Sequence, residues 1–338
     1  MKFEKRQIGE TNLWVSMLGM GTASIAGIGQ PVAESDARAT LDRALEHGIE
    51  YFDTAPFYGF GKSERWTGDQ IRAKSDDVVI STKTGRLLTP QHGPYTVSHS
   101  WRDPLPFVDV IDYTYDAIMR SHEDSLQRLG LNNVDILYVH DIGVLTHGDN
   151  NPTFWSQLTE GGGYRAMREL RDNGDISAIG LGVNEWEVLM DAFEIGDWDC
   201  FLLAGRYTLL EQTSLSPFLE TCVERKSSVI IGGPFNSGIL VGGDTWNYDK
   251  APDDIVAKVR IIEDVCKDFD VDMPAAALKF PLTHPAVAAT IPGPRTVKEL
   301  DEIVSWWQQD IPEALWDALA NKGLFADGTP LPSGRTVG

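Results

Sequence analysis

Residues 51–59 are Tyr-Phe-Asp-Thr-Ala-Pro-Phe-Tyr-Gly, and this stretch decides the fold class. Its apolar start predicts a short buried strand, and the proline and glycine that follow predict a loop. Asp53 ends the strand, and Tyr58 follows in the loop. In β/α proteins, side chains at the carboxyl ends of strands build the active site, so both residues are candidates for chemistry.

Outward from this stretch, segments with the apolar pattern of strands alternate with segments of helical periodicity. The first strand ends near Gly21, and the others are predicted at 49–53, 78–83, 134–140, 176–183, 199–204, 228–232 and 287–291. The helices are predicted at 34–47, 62–73, 116–129, 163–172, 185–195, 215–225, 253–269 and 296–308. Eight such pairs without a linker predict an α/β protein, a (β/α)8 TIM barrel formed as one domain by residues 1–338. Periodicity alone also allows an open doubly wound sheet.

Two further features are expected around the barrel. Residues 3–18 alternate around a Gly-Glu-Thr-Asn turn, which predicts a β-hairpin that caps the bottom of the barrel. Segments 84–112 and 141–160 are predicted to be long irregular βα loops, and 232–243 is a glycine-rich loop. Thr296 and Glu299 form a capping-box pattern at the start of the last helix.

Composition limits the classes of function. The formal charge of −21 argues against non-specific binding to nucleic acid or to an anionic membrane. The amino terminus has no apolar signal region, and no run of 18 apolar residues occurs. The three cysteines are widely spaced and match no metal pattern, so we expect reduced thiols in a cytoplasmic protein without a metal.

Polar residues at the predicted strand ends form one constellation. Lys83 follows an apolar strand, and a buried ammonium needs a partner, which Asp53 on the neighbouring strand can supply. A nearby cation favours a phenolate, so we expect a lowered pKa for Tyr58, which makes it a workable general acid or base. His140 could bond the same substrate oxygen. Each residue alone is more often structural, but four together at successive strand ends indicate a catalytic site.

The chain resembles the aldo-keto reductase superfamily over nearly its whole length. The similarity is carried by Gly48–Tyr58, Ser63-Glu64, Ser81–Lys83, Leu126–Leu131, Val134–His140, Ile179–Asn184 and Ile291–Gly293. The resemblance implies the same barrel and a catalytic tetrad. In that tetrad Tyr58 is the acid or base, Lys83 and Asp53 tune it, and His140 orients the substrate oxygen.

A narrower resemblance is to a branch of dehydrogenases that act on aldoses or on pyridoxal. It implies hydride transfer from a hydroxyl or hemiacetal carbon to a nicotinamide, giving a lactone. The alternatives are oxidation of pyridoxal rather than an aldose, an NADPH-dependent aldehyde reductase, and a non-catalytic nucleotide-binding module. The expected substrate residues, aromatic or charged and in the long loops, are Phe57, Arg86, Trp101, Asp141, Trp155 and Trp186.

The resemblance also implies a dinucleotide site. Asn184 would hold the nicotinamide amide, Tyr207 would stack on the ring, and the glycine-rich loop would cradle the pyrophosphate. The full expected set is Gly21, Thr22, Asn184, Tyr207, Pro234, Asn236, Ser237, Gly238, Gly293, Arg295, Thr296 and Glu299. Glu299 stands where NADPH-preferring relatives carry arginine. A carboxylate there repels a 2′-phosphate, so NAD is expected over NADP, although Arg295 and Lys298 are opposing evidence.

Overall fold

The computed structural model describes residues 2–93 and 101–338, and its centre is a barrel of parallel strands. The eight barrel strands are Met20–Gly21 (β1), Tyr51–Asp53 (β2), Val79–Thr84 (β3), Ile136–His140 (β4), Ala178–Val183 (β5), Cys200–Ala204 (β6), Ser228–Gly232 (β7) and Val287–Ile291 (β8). They lie side by side in chain order. The predicted (β/α)8 barrel is confirmed.

The barrel closes between its first and last strands. Leu18 and Thr290 form a parallel bridge, and the Gly19 amide donates to the Thr290 carbonyl at 3.0 Å. The Thr290 amide donates to the Met17 carbonyl at 2.9 Å, and the Gly21 amide to the Pro292 carbonyl at 3.0 Å. An open doubly wound sheet would leave these edge groups unpaired, so that alternative is wrong.

Helices surround the barrel. The helix after each strand is Glu34–His47 (α1), Lys62–Ile71 (α2), Tyr115–Leu129 (α3), Gly163–Asp172 (α4), Glu187–Ile195 (α5), Glu220–Arg225 (α6), Asp253–Asp268 (α7) and Val297–Gln308 (α8). Four further helices are Val144–His147, Asn151–Leu158, Met273–Lys279 and Glu313–Asn321. Short 3-10 helical segments occupy Arg72–Asp77, Gly148–Asn150, Asn236–Val241 and Phe280–Thr283, and a short π-helical segment occupies Leu215–Leu219. None of the described helices is long and apolar enough to cross a membrane.

The amino-terminal hairpin is present and closes the bottom of the barrel, as predicted. Strands Lys5–Gln7 and Trp14–Ser16 pair in antiparallel register. Ile8 and Val15 are fully buried and join the apolar cluster formed by inward side chains of the barrel strands. The Arg6 guanidinium donates to the Val287 carbonyl at 2.5 Å, which ties the hairpin to the start of β8.

The two long loops are more regular than predicted. Segment 84–112 contains an antiparallel ribbon of Arg86–Pro90 with Phe107–Ile111, and its residues 94–100 lie outside the described residues. Segment 141–160 contains the two short helices at Val144–His147 and Asn151–Leu158. The ribbon exposes Val108 and Val110 on one face, while Leu88, Phe107 and Ile111 are only partly buried on the other. Its apolar pattern therefore did not match that of a core strand.

Candidate active site

The Asp53–Lys83 pair lies at the mouth of the barrel, on adjacent strands. Lys83 Nζ lies 2.6 Å from Asp53 Oδ2 and donates to the Thr54 carbonyl at 2.9 Å. The Ser81 hydroxyl donates to Asp53 Oδ1 at 2.8 Å. Burial raises the pKa of Asp53 and lowers that of Lys83, and the attraction between the two charges opposes both shifts. The short Lys83–Asp53 contact and the hydrogen bonds around it are those of a buried salt bridge.

A glycine of β5 makes room for this pair. A Cβ on Gly182 would lie 3.2 Å from Cε of Lys83. The absence of a side chain at Gly182 therefore lets the long Lys83 side chain cross the barrel mouth. Gly180, two residues earlier, has a different role, because a Cβ there would lie 1.8 Å from the Cys200 carbonyl oxygen on β6.

Tyr58 reaches the pair from the loop after β2. The loop turns sharply at Gly59, whose φ is +61° and whose added Cβ would lie 2.8 Å from the Ala26 carbonyl oxygen. Lys83 Nζ lies 4.5 Å from the centroid of the Tyr58 ring. The expectation of a lowered Tyr58 pKa is wrong for this state. Burial, followed by Asp53 and Asp141, raises its pKa well above the ordinary value, so the phenol is protonated at neutral pH.

His140 lies beside the Tyr58 ring, at 5.7 Å between centroids, and is nearly fully buried. Burial, with the charges of Lys83 and Arg86, lowers its pKa well below the ordinary value, so the imidazole is neutral. His140 Nε2 lies 3.4 Å from Asp141 Oδ2. Across residues 2–93 and 101–338, the buried Nδ1 has no hydrogen-bond partner. The four residues of the predicted tetrad thus come together.

A second ion network supports the site from the ribbon. Arg86 donates to Asp141 Oδ2 at 3.1 Å and to Asp109 Oδ2 at 2.7 Å, and its guanidinium carbon lies 4.1 Å from the centroid of the Phe57 ring. Burial raises the pKa of Asp141, and the positive charge of Arg86 opposes that shift. Arg86 is therefore fixed behind the cavity wall and holds Asp141 in place.

A cavity of about 410 Å³ opens above the tetrad. It is lined by Ala23, Ile28, Phe57, Tyr58, Lys83, Trp101, His140, Asp141, Gly182, Val183, Asn184, Leu202, Ala204 and Tyr248. Of the expected substrate residues, Phe57, Trp101 and Asp141 line it. Arg86, Trp155 and Trp186 do not line it. Arg86 lies behind the cavity wall, and the two tryptophans pack against the main hydrophobic core, so the structure does not support these three as substrate residues. An aromatic residue in a loop carries no signal for which side of the loop faces the cavity.

Tyr248 was missed by the sequence reasoning. Its side chain is 69% exposed and stands at the cavity mouth, with φ +64°, next to the small ribbon Thr245–Trp246 with Asp249–Lys250. The Tyr248 hydroxyl donates to Asn184 Oδ1 at 3.4 Å, and Asn184 Nδ2 donates to Asp141 Oδ1 at 3.4 Å. Both contacts of the Asn184 side chain are long, so an amide group of a bound ligand could replace them.

Tyr207 does not lie where the sequence placed it. Its side chain is fully buried, with ring centroids 5.4 Å from Phe280 and 5.6 Å from His284. The chain turns at Gly205, φ +71°, directly after β6, and the ring packs into the core. A buried ring cannot stack on a ligand, so this prediction was wrong for the present conformation. Tyr248 is the aromatic ring that faces the cavity next to Asn184.

The glycine-rich loop after β7 contains a run of left-handed residues. Asn236, Ser237 and Gly238 have φ of 46°, 60° and 105° in succession. The Asn236 and Gly238 amides donate to the Gly233 and Phe235 carbonyls, each at 3.0 Å, so these two amides are not available to a pyrophosphate in this conformation. The Asn236 side chain does not face a ligand. It bonds Thr208 and Glu211, and Pro234 is buried, so these two residues shape the loop from below.

The start of α8 forms the other end of the expected dinucleotide site. The Thr296 hydroxyl caps the helix by accepting from the Glu299 amide at 3.2 Å, and Glu299 Oε2 accepts from the Arg295 amide at 2.7 Å. Arg295 Nε is buried and has no partner in the described part of the chain. Such an unpaired donor beside a helix amino terminus fits a phosphate or ribose oxygen.

Gly21 and Gly293 meet between these two ends. A Cβ on Gly293 would lie 2.7 Å from Ser24 Oγ, and one on Gly21 would lie 3.3 Å from the Ile291 carbonyl oxygen, so a side chain at either position would crowd the seam between β1 and β8. Thr22 is fully buried, and its hydroxyl donates to the Asp53 carbonyl at 2.7 Å. Thr22 therefore supports β2, and its side chain does not face a ligand.

Comparison with known proteins identifies the class. The family model of the aldo/keto reductase family matches residues 17–322, and the chain belongs to that family. It is an oxidoreductase of the aldo/keto reductase class. A solved aldo-keto reductase from Bacillus halodurans, in its holo form, superposes with a TM-score of 0.74 at 20% identity, over 96% of this chain and 97% of that one, which shows the shared fold.

Two relatives of known activity show which branch of the family this chain resembles. The chain is 44% identical to pyridoxal 4-dehydrogenase of Microbacterium luteolum over 96% of its length and 98% of the relative's. It is 31% identical to D-threo-aldose 1-dehydrogenase of a Pseudomonas species, over 93% and 95% respectively. The narrower resemblance drawn from the motifs is confirmed, with the pyridoxal enzyme the more similar of these two.

Proposed function

We propose that this protein is an NAD-dependent dehydrogenase that oxidises the cyclic hemiacetal of a small polar substrate to a lactone. The observation that carries the proposal is the tetrad, with Lys83 bonded to Asp53 and both set against Tyr58 and His140 under one cavity. Its three cysteines are free buried thiols, which supports a reducing, cytoplasmic location.

The proposed reaction removes a hydride from the hemiacetal carbon and a proton from its hydroxyl. A bound NAD⁺, held beside Asn184, would supply the hydride acceptor and a positive charge near the phenol. The hydroxyl proton of the substrate passes to the Tyr58 oxygen, and the carbon–oxygen bond becomes the lactone carbonyl. Lys83 stabilises the Tyr58 phenolate, Asp53 holds Lys83, and the neutral His140 bonds the reacting oxygen.

Cofactor choice is proposed from the start of α8. Glu299 is fixed by the Arg295 amide, so its second oxygen can accept a hydrogen bond from a ribose hydroxyl. The same charge repels a 2′-phosphate. Lys298 is exposed and paired with Glu302 at 3.8 Å, and does not offset this charge at the helix start. An NADPH-dependent aldehyde reductase is the alternative.

Glu299→Gln tests this assignment. The amide keeps the acceptor for the Arg295 N–H but loses the charge. We expect NADPH to bind about tenfold more tightly than to the parent protein, while NADH affinity changes by less than about threefold. Fluorescence titration with both reduced cofactors measures the change. Tighter binding of NADPH than of NADH by the parent protein would support the reductase alternative instead.

Pyridoxal is the first substrate in this proposal, and an aldose is the second. The cavity walls carry the rings of Phe57, Trp101 and Tyr248, which suit a flat aromatic ring. The Asp141 carboxylate faces the same cavity and can accept from a pyridinium or phenol hydrogen. The 44% identity to a pyridoxal 4-dehydrogenase supports this order. Sugars also stack on aromatic rings, and the aldose dehydrogenase relative supports them as the second class.

Side-by-side assays decide between the substrate classes. NAD⁺ reduction is measured with pyridoxal, L-fucose, D-arabinose and L-galactose at equal concentration. We expect the highest kcat/KM with pyridoxal. A higher value with any of the sugars would reverse the order. No turnover with any of them, or with simple aldehydes and NADPH, would favour the non-catalytic nucleotide-binding module.

Asp141→Asn tests the contact with substrate. We expect KM for pyridoxal to rise by about 10- to 100-fold, because a hydrogen bond to a charged acceptor is lost in a buried site. NADH affinity should stay within about threefold. Asp109→Asn is the matched control, since Asp109 bonds the same Arg86 but does not line the cavity. An equal rise in KM for both variants would mean that Asp141 acts only by holding Arg86.

A further inference from the structure

Beneath the tetrad lies a layer of hydroxyl side chains. Tyr51, Ser81 and Tyr138 each lie two residues before Asp53, Lys83 and His140 on β2, β3 and β4. Because strand residues two apart face the same side, every tetrad residue on a strand has a hydroxyl directly below it, inside the barrel. All three hydroxyl residues are fully buried.

These hydroxyls form one continuous chain of hydrogen bonds that ends on Asp53. Ser81 Oγ lies 2.8 Å from Asp53 Oδ1, and the Tyr51 hydroxyl lies 3.1 Å from Ser81 Oγ. The Tyr138 hydroxyl lies 3.4 Å from that of Tyr51, and Cys200 Sγ lies 3.6 Å from Tyr138. We call these four residues, Ser81, Tyr51, Tyr138 and Cys200, the hydroxyl column. The contacts lengthen with distance from Asp53.

The direction of the hydroxyl column follows from counting hydrogens. An ionised Asp53 can only accept, so the single hydrogen of Ser81 points at it. Tyr51 must then donate to Ser81, and Tyr138 must donate to Tyr51, because each hydroxyl has one hydrogen. The thiol of Cys200 donates last, to Tyr138. Every donor in the column thus points toward one carboxylate, and hydrogen bonds aligned in this way strengthen one another.

The hydroxyl column is not a path for protons to solvent. It ends at Cys200, which is fully buried among apolar side chains of the barrel interior. Burial raises the pKa of the Tyr51, Tyr138 and Cys200 side chains, so all three keep their hydrogens at neutral pH. The column can act only through the orientation of its dipoles.

We propose that the hydroxyl column is a positioning element that keeps Asp53 ionised in the dry barrel, and so keeps Lys83 charged next to Tyr58. Burial alone would favour the neutral carboxyl and amine. The column opposes this because the positive end of the Ser81 hydroxyl dipole points at Asp53 Oδ1, the oxygen that does not bond Lys83. The consequence for Tyr58 as acid or base rests on the proposed function. The effect of the column on the charge of Lys83 does not depend on that function.

Other charges also act on this pair. The titratable groups that face Asp53 and Lys83 from the surrounding elements are Tyr58, Glu64, Arg86, His140 and Asp141. None of them donates to Asp53 Oδ1 in the described residues, where Ser81 is the donor. Shortening the column therefore leaves these groups in place and weakens one support of the carboxylate.

The test removes single oxygens along the hydroxyl column. Ser81→Ala, Tyr51→Phe and Tyr138→Phe are compared with Tyr164→Phe, a control that loses a tyrosyl hydroxyl bonded to the Asp197 backbone, outside the barrel. Lysine carrying ¹³C at Cε is incorporated, and Lys83 is titrated by NMR without cofactor. The resonance that disappears in Lys83→Met assigns the signal. Thermal unfolding is recorded for every variant.

We expect the charged fraction of Lys83 at neutral pH, read from its ¹³Cε shift, to fall most in Ser81→Ala, by less in Tyr51→Phe and by least in Tyr138→Phe. The pH at which oxidation reaches half its maximum should rise in the same order, because a weaker cation stabilises the phenolate less. An unchanged Lys83 titration in both Ser81→Ala and Tyr51→Phe would overturn the proposal. So would an equal change in Tyr164→Phe, since that would mark a general loss of packing. If Lys83 shifts as expected and no substrate is turned over, the column stands and the proposed function fails.

Discussion

Tyr58→Phe is expected to lower turnover by about 10²- to 10⁴-fold while NADH still binds within about threefold of the parent affinity. The Tyr58 phenol lines the cavity and is the proposed acid or base, and the variant removes its oxygen and little else. Its ring keeps the contacts with Lys83 and Trp101. Steady-state rates with pyridoxal and NADH titration measure the two quantities separately.

Tyr248→Phe is the matched control for this experiment. It also removes a phenol from the same cavity, but that hydroxyl contacts Asn184 at 3.4 Å and not the Asp53–Lys83 pair. We expect less than a tenfold loss of turnover. Turnover retained in Tyr58→Phe would end its assignment as the acid or base, whatever the control does.

The pH dependence follows from the raised pKa of Tyr58. Burial and the carboxylates of Asp53 and Asp141 keep the phenol protonated at neutral pH in the cofactor-free protein. In the proposed mechanism, oxidation consumes the deprotonated form of Tyr58, so its kcat/KM should increase with pH. The reverse reduction would consume the protonated form and should be fastest at neutral or lower pH. His140 stays neutral through this range because its pKa is lowered, and contributes no second step.

The tetrad was predictable because strand registers in a barrel are constrained. Once eight strands were recognised, Asp53, Lys83 and His140 had to meet at one end, and only Tyr58 needed a loop to place it. The charge of Lys83 was equally predictable, since an ammonium after an apolar strand needs a carboxylate. The raised pKa of Tyr58 was not predicted, because it depends first on how deeply the loop buries the phenol and then on the charges of Asp53 and Asp141.

The side chains that the loops contribute to the site could not be predicted from the sequence. Tyr207 and Tyr248 are both loop tyrosines, and nothing in their neighbouring residues shows that one turns into the core and the other toward the cavity. The turn at Gly205 decides the first, and left-handed backbone at Tyr248 decides the second. The inner hydroxyl column was visible in principle, since Tyr51, Ser81 and Tyr138 share the period-two face of the tetrad. It was not recognised because a buried tyrosine in a strand is normally interpreted as a packing residue of the core.

Lys83→Met should both abolish turnover and destabilise the fold. It leaves the Asp53 carboxylate buried without its partner, which costs about 3 to 5 kcal/mol when the carboxylate is charged. The methionine keeps the length of the side chain beside Gly182, so little of this cost comes from lost volume. Urea unfolding at neutral pH measures the free energy, and NAD⁺ reduction measures the activity.

The sign of the pH dependence makes this prediction specific. In Lys83→Met the folded-state pKa of Asp53 is raised above its unfolded value, because burial acts without an opposing cation. The folded state then binds more protons than the unfolded state between the two pKa values, so stability falls as pH rises through that window. Near pH 4 the carboxyl is protonated in the folded protein, and the penalty should shrink to about 1 kcal/mol.

The double variant Asp53→Asn with Lys83→Met separates charge from shape. It contains neither member of the ion pair, so it should regain most of the stability lost in Lys83→Met at neutral pH and show no such pH dependence. It should remain inactive, because nothing then stabilises a Tyr58 phenolate. If the double variant is as unstable as Lys83→Met, the loss comes from packing around the methionine. In that case the ion pair would matter for catalysis, and the stability of the fold would not depend on the balance of its two charges.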